Sequence, residues 1–283
     1  MLEKLLYVVY ASMVALGVNH IVALFLHGSW LYYSYMVVLV LFCSLVAVVV
    51  VIVQNRTILQ KASLLSQQKG LVGVFVSLNI AILAFLMSDY VIDFLEYTYE
   101  MALEIARSGE LYTTHPYMGS ALAVSIPSRI QVLYLPGFYA AVAAITGMEM
   151  YTLLGHIVPI GVWLLSLLVA VLLADILYQH DVMRVLRFMI VYCIAFLVTR
   201  QIAGLFGYQL FFAGYAGETL RAIVLIPSMI YAVFARKPIL VCMILFVEAM
   251  VVWTTYGIGY CFLTMLLSFI ATRRVSKGER IWS

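Results

Sequence analysis

The sequence predicts an all-α polytopic membrane protein with about eight transmembrane helices, and three observations carry that expectation. Of 283 residues, 66% are hydrophobic and only 10% are charged. The mean hydropathy is +1.10. Apolar runs repeatedly approach the roughly twenty residues that a helix needs to cross about 30 Å of hydrocarbon. No polar stretch is long enough to bury a core of its own, so a single membrane domain over residues 1–283 is expected.

The first run, 5–26, exceeds the roughly 7 to 15 apolar residues of a signal peptide and lacks a small-x-small cleavage pattern, so it reads as a retained helix. The second, 30–53, is followed by a basic loop, and together these make up residues 1–70. Run 71–87 opens a core that extends to 272. The run at 132–147 is short and broken by Pro136 and Gly137, so it either crosses or dips in and returns. Further runs lie at 152–178, 187–199, 219–234, 238–253 and 256–272, before a basic tail, 273–283.

Loop charge decides the ambiguous run, because Lys and Arg collect on the cytoplasmic side. If 132–147 does not cross, only Arg107, Arg129, Arg200 and Arg221 of the sixteen basic residues fall off that side. If it crosses, the tail "TRRVSKGER" and the "ARK" turn at 235–237 land outside. The first arrangement is the expected one. It gives eight spans, both termini cytoplasmic, a membrane-dipping helix at 132–147, and an outer loop, 88–131, containing amphipathic juxtamembrane helices. The net charge of +3 belongs to these loops and gives no reason to expect nucleic acid. Cys43, Cys193, Cys242 and Cys261 lie inside apolar runs, at spacings that fit neither a metal site nor a disulfide framework.

The outer loop opens with "MSDYVIDFLEYTYEMALEIARSG" at 87–109. At about 100° per residue, Asp89, Asp93, Glu96, Glu100, Glu104 and Arg107 share an arc of about 80°. Val91, Phe94, Leu95, Met101, Ala102, Ile105 and Ala106 take the opposite face with Thr98, so an amphipathic helix in the membrane interface is expected. Glu100 and Glu104 read as its solvated side. Asp89 comes directly off a span, at a boundary where partial desolvation can raise a carboxylate's pKa towards a range useful to a base. Asp93 is one turn further on the same face.

A span ending in an acid, then an interfacial helix, "GELYTTHPYMGSA", a dipping "YLPGFYAAVAAITGM" and a further span together resemble the membrane core of GT-C type glycosyltransferases. "HPYMG", "YLPGFYAAVAAITGMEMYTLLGHIVP" and "GYAGETLRAIVLIPSMIYAVFARK" look like stretches of a bacterial branch grouped with that superfamily, and the likeness covers roughly 71–272. The resemblance implies a polyprenyl-phosphate-linked sugar donor, the outer face of a bacterial plasma membrane, and Asp89 as general base on an acceptor hydroxyl, with Asp93 its nearest substitute. A lipid phosphate is a good leaving group, so one carboxylate can suffice. It also calls for cationic partners, and Arg129, Arg200 and Arg221 are the candidates. Some members use a divalent cation, magnesium or manganese, and others none; His115 with Asp89 or Asp93 is the available donor set.

Other readings stay open. Glu218 is placed to pair with Arg221, so a structural ion pair stands beside phosphate binding. Tyr208, Phe211, Phe212 and Tyr215 suit sugar stacking or an interfacial belt. Asn19 and His20 suit an interhelical hydrogen bond. Glu248, with Arg221 and Asp175, would mark the path of a transport or channel subunit. Ala140, Ala141, Ala143 and Ala144 would pack on a partner helix in a non-catalytic scaffold. GT-C transferases usually run well past this length, which points to a partner membrane subunit or to a use other than transfer.

Overall fold

The computed structural model describes residues 1–25, 30–54, 68–88, 97–112, 129–251, 259, 262–267 and 269–270, with backbone alone at 129 and 130. Among them every regular element is a helix. In chain order these are α1 (Leu2–Phe25), α2 (Trp30–Gln54), α3 (Lys69–Ser88), α4 (Tyr97–Ser108), α5 (Arg129–Val132), α6 (Tyr134–Thr146) and α7 (Met150–Leu177). They continue with α8 (Val182–Thr199), α9 (Phe206–Ala213), α10 (Gly217–Phe234) and α11 (Pro238–Val251). Six of them, α1, α2, α3, α7, α8 and α10, are long and apolar enough to cross a membrane, while α6 and α11 are apolar but shorter. The expected run at 256–272 lies largely outside the described residues, although 262–267 are helical.

Helix starts differ from the apolar runs in an instructive way. The run at 187–199 becomes an 18-residue helix beginning at Val182. Asp181 caps it, its Oδ1 accepting from the backbone N–H of Met183 at 3.0 Å and of Arg184 at 3.2 Å. A cap defines a helix start that hydropathy does not see, and long Arg side chains reach back to water from the first turns.

Two π turns, Leu153–Ile157 in α7 and Arg221–Leu225 in α10, share one cause. Each precedes a proline, Pro159 and Pro227, near the start of the α-helical stretch that follows. A proline has no N–H to donate and its ring clashes with the carbonyl four residues back, and a widened turn relieves both.

At one end of the bundle Lys237 Nζ meets Glu3 Oε1 at 2.6 Å, tying the start of α1 to the α10–α11 turn. The hydrogen bond to Glu3 holds the Lys237 ammonium above its usual range. Lys4, Lys69, Arg184, Arg187 and Arg236 are exposed at or near helix starts and turns of this basic end. The other end carries α4, α5 and α9. There α6 is 13 residues long, about 20 Å at 1.5 Å per residue and short of a full crossing. Gly147, at φ 69°, ends it in the left-handed region that a side chain disfavours.

Helix α4 packs its apolar side on α6 rather than presenting it to lipid. Met101, Ala102 and Ile105 are buried as the stripe requires, with Thr98 and Tyr99, whereas Ala106 is exposed in the last turn. Of the four small residues considered for a partner helix, Ala140, Ala141 and Ala143 are buried within the chain's own bundle and Ala144 is exposed. Gly217 illustrates how close the helices come, since a Cβ there would lie 2.3 Å from the Val251 carbonyl oxygen. Gly217→Ala is expected to lower stability by about 1–3 kcal/mol through this overpacking, measured as thermal unfolding in detergent, with an unchanged midpoint refuting the close approach.

Candidate functional site

The acidic end holds most of the polar chemistry. Asp89, Asp93 and His115 lie outside the described residues, as does the side chain of Arg129, whose backbone opens α5. Helix α3 ends at Ser88, so Asp89 is the next residue of the chain. An acid following a helix C-terminus meets the negative pole of the helix dipole, an unfavourable position unless cations offset it.

Two side chains from distant sequence flank the last turn of α3. The Arg200 guanidinium lies 4.2 Å from the Phe85 ring centroid and 5.5 Å from that of Phe211. His156, in the π turn of α7, hydrogen-bonds through Nδ1 to the Leu86 carbonyl oxygen at 2.8 Å. A carbonyl only accepts, so Nδ1 carries the proton, and the bond satisfies one of the four carbonyls that a helix end leaves without intrahelical partners. Tyr151 stands edge-on to the same imidazole at 6.2 Å between centroids. Nothing in the sequence marked His156; its neighbour Pro159, through the π turn, is the only local signal.

Arg221 is 7% exposed and pairs with Glu248, which is 1% exposed, through Nε and Oε1 at 2.6 Å. The buried partner thus comes from α11, while Glu218, expected to pair with Arg221, stays exposed at the start of α10. A guanidinium one turn inside a span needs a carboxylate at its own depth, and Glu248 supplies one. Arg200 and Arg221 therefore belong to different helix contacts, the first to α3 and α9, the second to α11.

A cluster of neutral polar groups lies under α4. His20 Nε2 donates to the Gln131 carbonyl oxygen at 2.7 Å, and Tyr112 hydroxyl donates to that of Leu133. The interhelical hydrogen bond considered for Asn19 and His20 is thus made by His20, to backbone rather than to a side chain. Burial and neighbouring Tyr33 push the Tyr112 hydroxyl well above its ordinary pKa, which keeps it a donor. Burial and adjacent Glu100 do the same for Tyr99. In the aromatic loop, Phe211 and Tyr215 are each 1% exposed and belong to the core, and Tyr139 donates to the Tyr215 carbonyl oxygen at 3.0 Å. Tyr208 and Phe212 are half-buried and pack together at 4.6 Å.

A cavity of about 760 Å³ opens among α1, α6, α7 and the segment 214–220. Met13, Leu16, Leu135, Phe138, Val162 and Leu165 line it, with Tyr134, Tyr139 and Tyr215. Its volume is that of a small-molecule pocket, typically about 300–1,000 Å³, and its lining is suited to hydrocarbon. Neither Arg221 nor Glu248 lines it. Among the described residues no three His, Cys, Asp or Glu side chains converge to hold a metal ion.

Fold and site together define an all-α, multi-pass membrane protein with an apolar cavity in its helical bundle and, among the described residues, a buried Arg221–Glu248 pair. No family model, no curated protein and no solved structure matches the chain.

Removing one partner of the buried pair is expected to be costly. Glu248→Ala or Arg221→Ala should each lower stability by about 3–5 kcal/mol, and the double variant by clearly less than the sum, in a double-mutant cycle read by thermal unfolding. Additive losses would show that the two side chains do not act as a pair.

Proposed function

We propose that the protein is a GT-C-like transferase of the bacterial plasma membrane, moving a sugar from a polyprenyl-phosphate donor to an acceptor hydroxyl at the outer face. In this reading the acidic end faces outward, both termini are cytoplasmic and the chain spans eight times. The observation that carries the proposal is the apolar cavity between α1, α6 and α7, whose lining extends along α1 from Leu5 to Leu16. That distance is about 16 Å at 1.5 Å per residue, enough to accommodate a length of hydrocarbon chain between the first turns of α1 and the segment that precedes α10.

The chemistry assigned to the site needs one base. The acceptor O–H gives its proton to the Asp89 carboxylate while its oxygen bonds to the sugar's anomeric carbon. The bond from that carbon to the phosphate oxygen breaks, and its electron pair leaves with polyprenyl phosphate. Arg200, whose guanidinium lies against the last turn of α3, is assigned to the phosphate. Arg129 and His115 are further candidates on the same outer loop, and Asp93 is the substitute base. A transport path through Glu248, Arg221 and Asp175 has less support, because the first two are locked to each other away from the cavity. Asp175 meanwhile meets His180 Nδ1 at 2.7 Å near the end of α7.

Two variants test the base and the cavity separately, using the purified full-length chain with a labelled polyprenyl-phosphate sugar. Asp89→Asn should cut turnover by roughly 10²–10⁴ while the donor still binds. Gly161 lines the cavity, and a Cβ there would meet nothing within 4 Å. Gly161→Phe should therefore fill the cavity and weaken donor binding at least about tenfold, at unchanged thermal stability. Full turnover by the Asn variant removes Asp89 as base; undiminished binding by the Phe variant removes the cavity as the donor site.

A further inference from the structure

The cavity beside α1 has a mouth in the side of the bundle. Gly161 and Leu164 line it and are also exposed on α7. Gly161 lies eleven residues after Met150, where α7 begins, and sixteen before Leu177, where it ends. Along the helix this is about 16 Å and 24 Å from its two ends at 1.5 Å per residue. In a membrane-spanning helix the mouth therefore faces hydrocarbon, and what enters comes from the lipid phase.

Two tyrosines of α6 meet this cavity. Tyr139 donates its hydroxyl to the Tyr215 carbonyl oxygen at 3.0 Å. Tyr134 is 1% exposed, and its hydroxyl makes no hydrogen bond among the described residues. His20, one turn past Leu16 on α1, bonds the Gln131 carbonyl three residues before Tyr134, so Tyr134 stands at the Leu16 end of the cavity. A hydroxyl enclosed in hydrocarbon has no water to turn to, and leaving it without a partner is costly.

The lining names the occupant. Among the described residues it contains no Lys, Arg, His, Asp or Glu, so a charged group drawn in to Tyr134 would be uncompensated. A phospholipid keeps its oxygens with its head group at the membrane surface, far from a mouth at this depth. A long-chain lipid whose polar part is one uncharged oxygen, in a hydroxyl or a carbonyl, can carry that oxygen inward. We infer that the cavity binds such an uncharged lipid, its oxygen accepting from the Tyr134 hydroxyl and its chain running along Leu16, Met13, Val9 and Leu5. The site is independent of the transferase reading: a polyprenyl chain would use the same apolar walls but brings no oxygen to Tyr134, so the uncharged lipid is its competitor there.

The test is binding of tritiated hexadecanol to the full-length chain in detergent, read by scintillation proximity. Unlabelled hexadecanol, hexadecane and hexadecyl phosphate compete at equal mole fraction in the micelle. Hexadecanol should displace the label about fivefold better than hexadecane, the ratio that one net hydrogen bond supplies, and hexadecyl phosphate no better than the alkane. In Tyr134→Phe the alcohol should fall to the level of the alkane at an unchanged thermal midpoint, since the hydroxyl removed holds nothing in place. Tyr35→Phe, at a 66% exposed position of α2, should keep the fivefold ratio, and Gly161→Phe should lose the label. Equal displacement by alcohol and alkane in the wild type, a preference that survives Tyr134→Phe, or label retained by Gly161→Phe would overturn the site. Hexadecyl phosphate as the best competitor would also overturn it, giving the cavity to a charged amphiphile such as the donor, whereas full turnover by Asp89→Asn would leave it standing.

Discussion

In hydrocarbon a polar group must find its partner within the protein, because no water is there to supply one, and this constraint organises the bundle. The pair formed by Arg221 and Glu248 is its sharpest expression. Each side chain alone would be too expensive at that depth; together they join α10 to α11 through a contact of 2.6 Å. The close approach of Gly217 to Val251 brings the same two helices together at the neighbouring turn. Smaller versions recur, such as Ser12 and Ser44 hydroxyls meeting at 2.5 Å between α1 and α2, and Trp163 donating to Asn79 at 3.2 Å.

The same rule accounts for the acidic end. The last turn of α3 exposes carbonyls that the helix cannot satisfy, and it is followed in sequence by an acid. His156 bonds one of those carbonyls and Arg200 stacks on the aromatic ring beside it. Both side chains offset the negative pole of the helix. The electrostatics of this helix end are adjusted by residues about 70 and 110 positions away in the chain, a distance bridged only because α7 and α8 pack against α3.

Parts of the site were legible in the sequence and parts were not, for distinct reasons. The amphipathic character of α4 could be read from angular spacing, because Met101, Ala102 and Ile105 recur with the helix period. The core role of Phe211 and Tyr215 could not, since an aromatic at the interface and one under it look alike without the neighbouring helices. Glu218 is three residues from Arg221 and so was the obvious partner; Glu248 is far along the chain, and only folding shows that it lies at the same depth. The π turns follow from Pro159 and Pro227, yet which side chains they would re-aim depended on the packing of α7 and α10.

By itself the sequence determined that this chain is a multi-pass helical membrane protein and where most of its apolar helices lie, because length and hydropathy are local properties that the bilayer reads directly. It also determined that α6 is too short and too punctuated to match its neighbours. Only the tertiary structure decided which buried charges are paired, which small residues are spent inside the bundle, and where a cavity remains. Those outcomes depend on the depth and rotation of one helix against another, and a pattern along a single helix does not contain them.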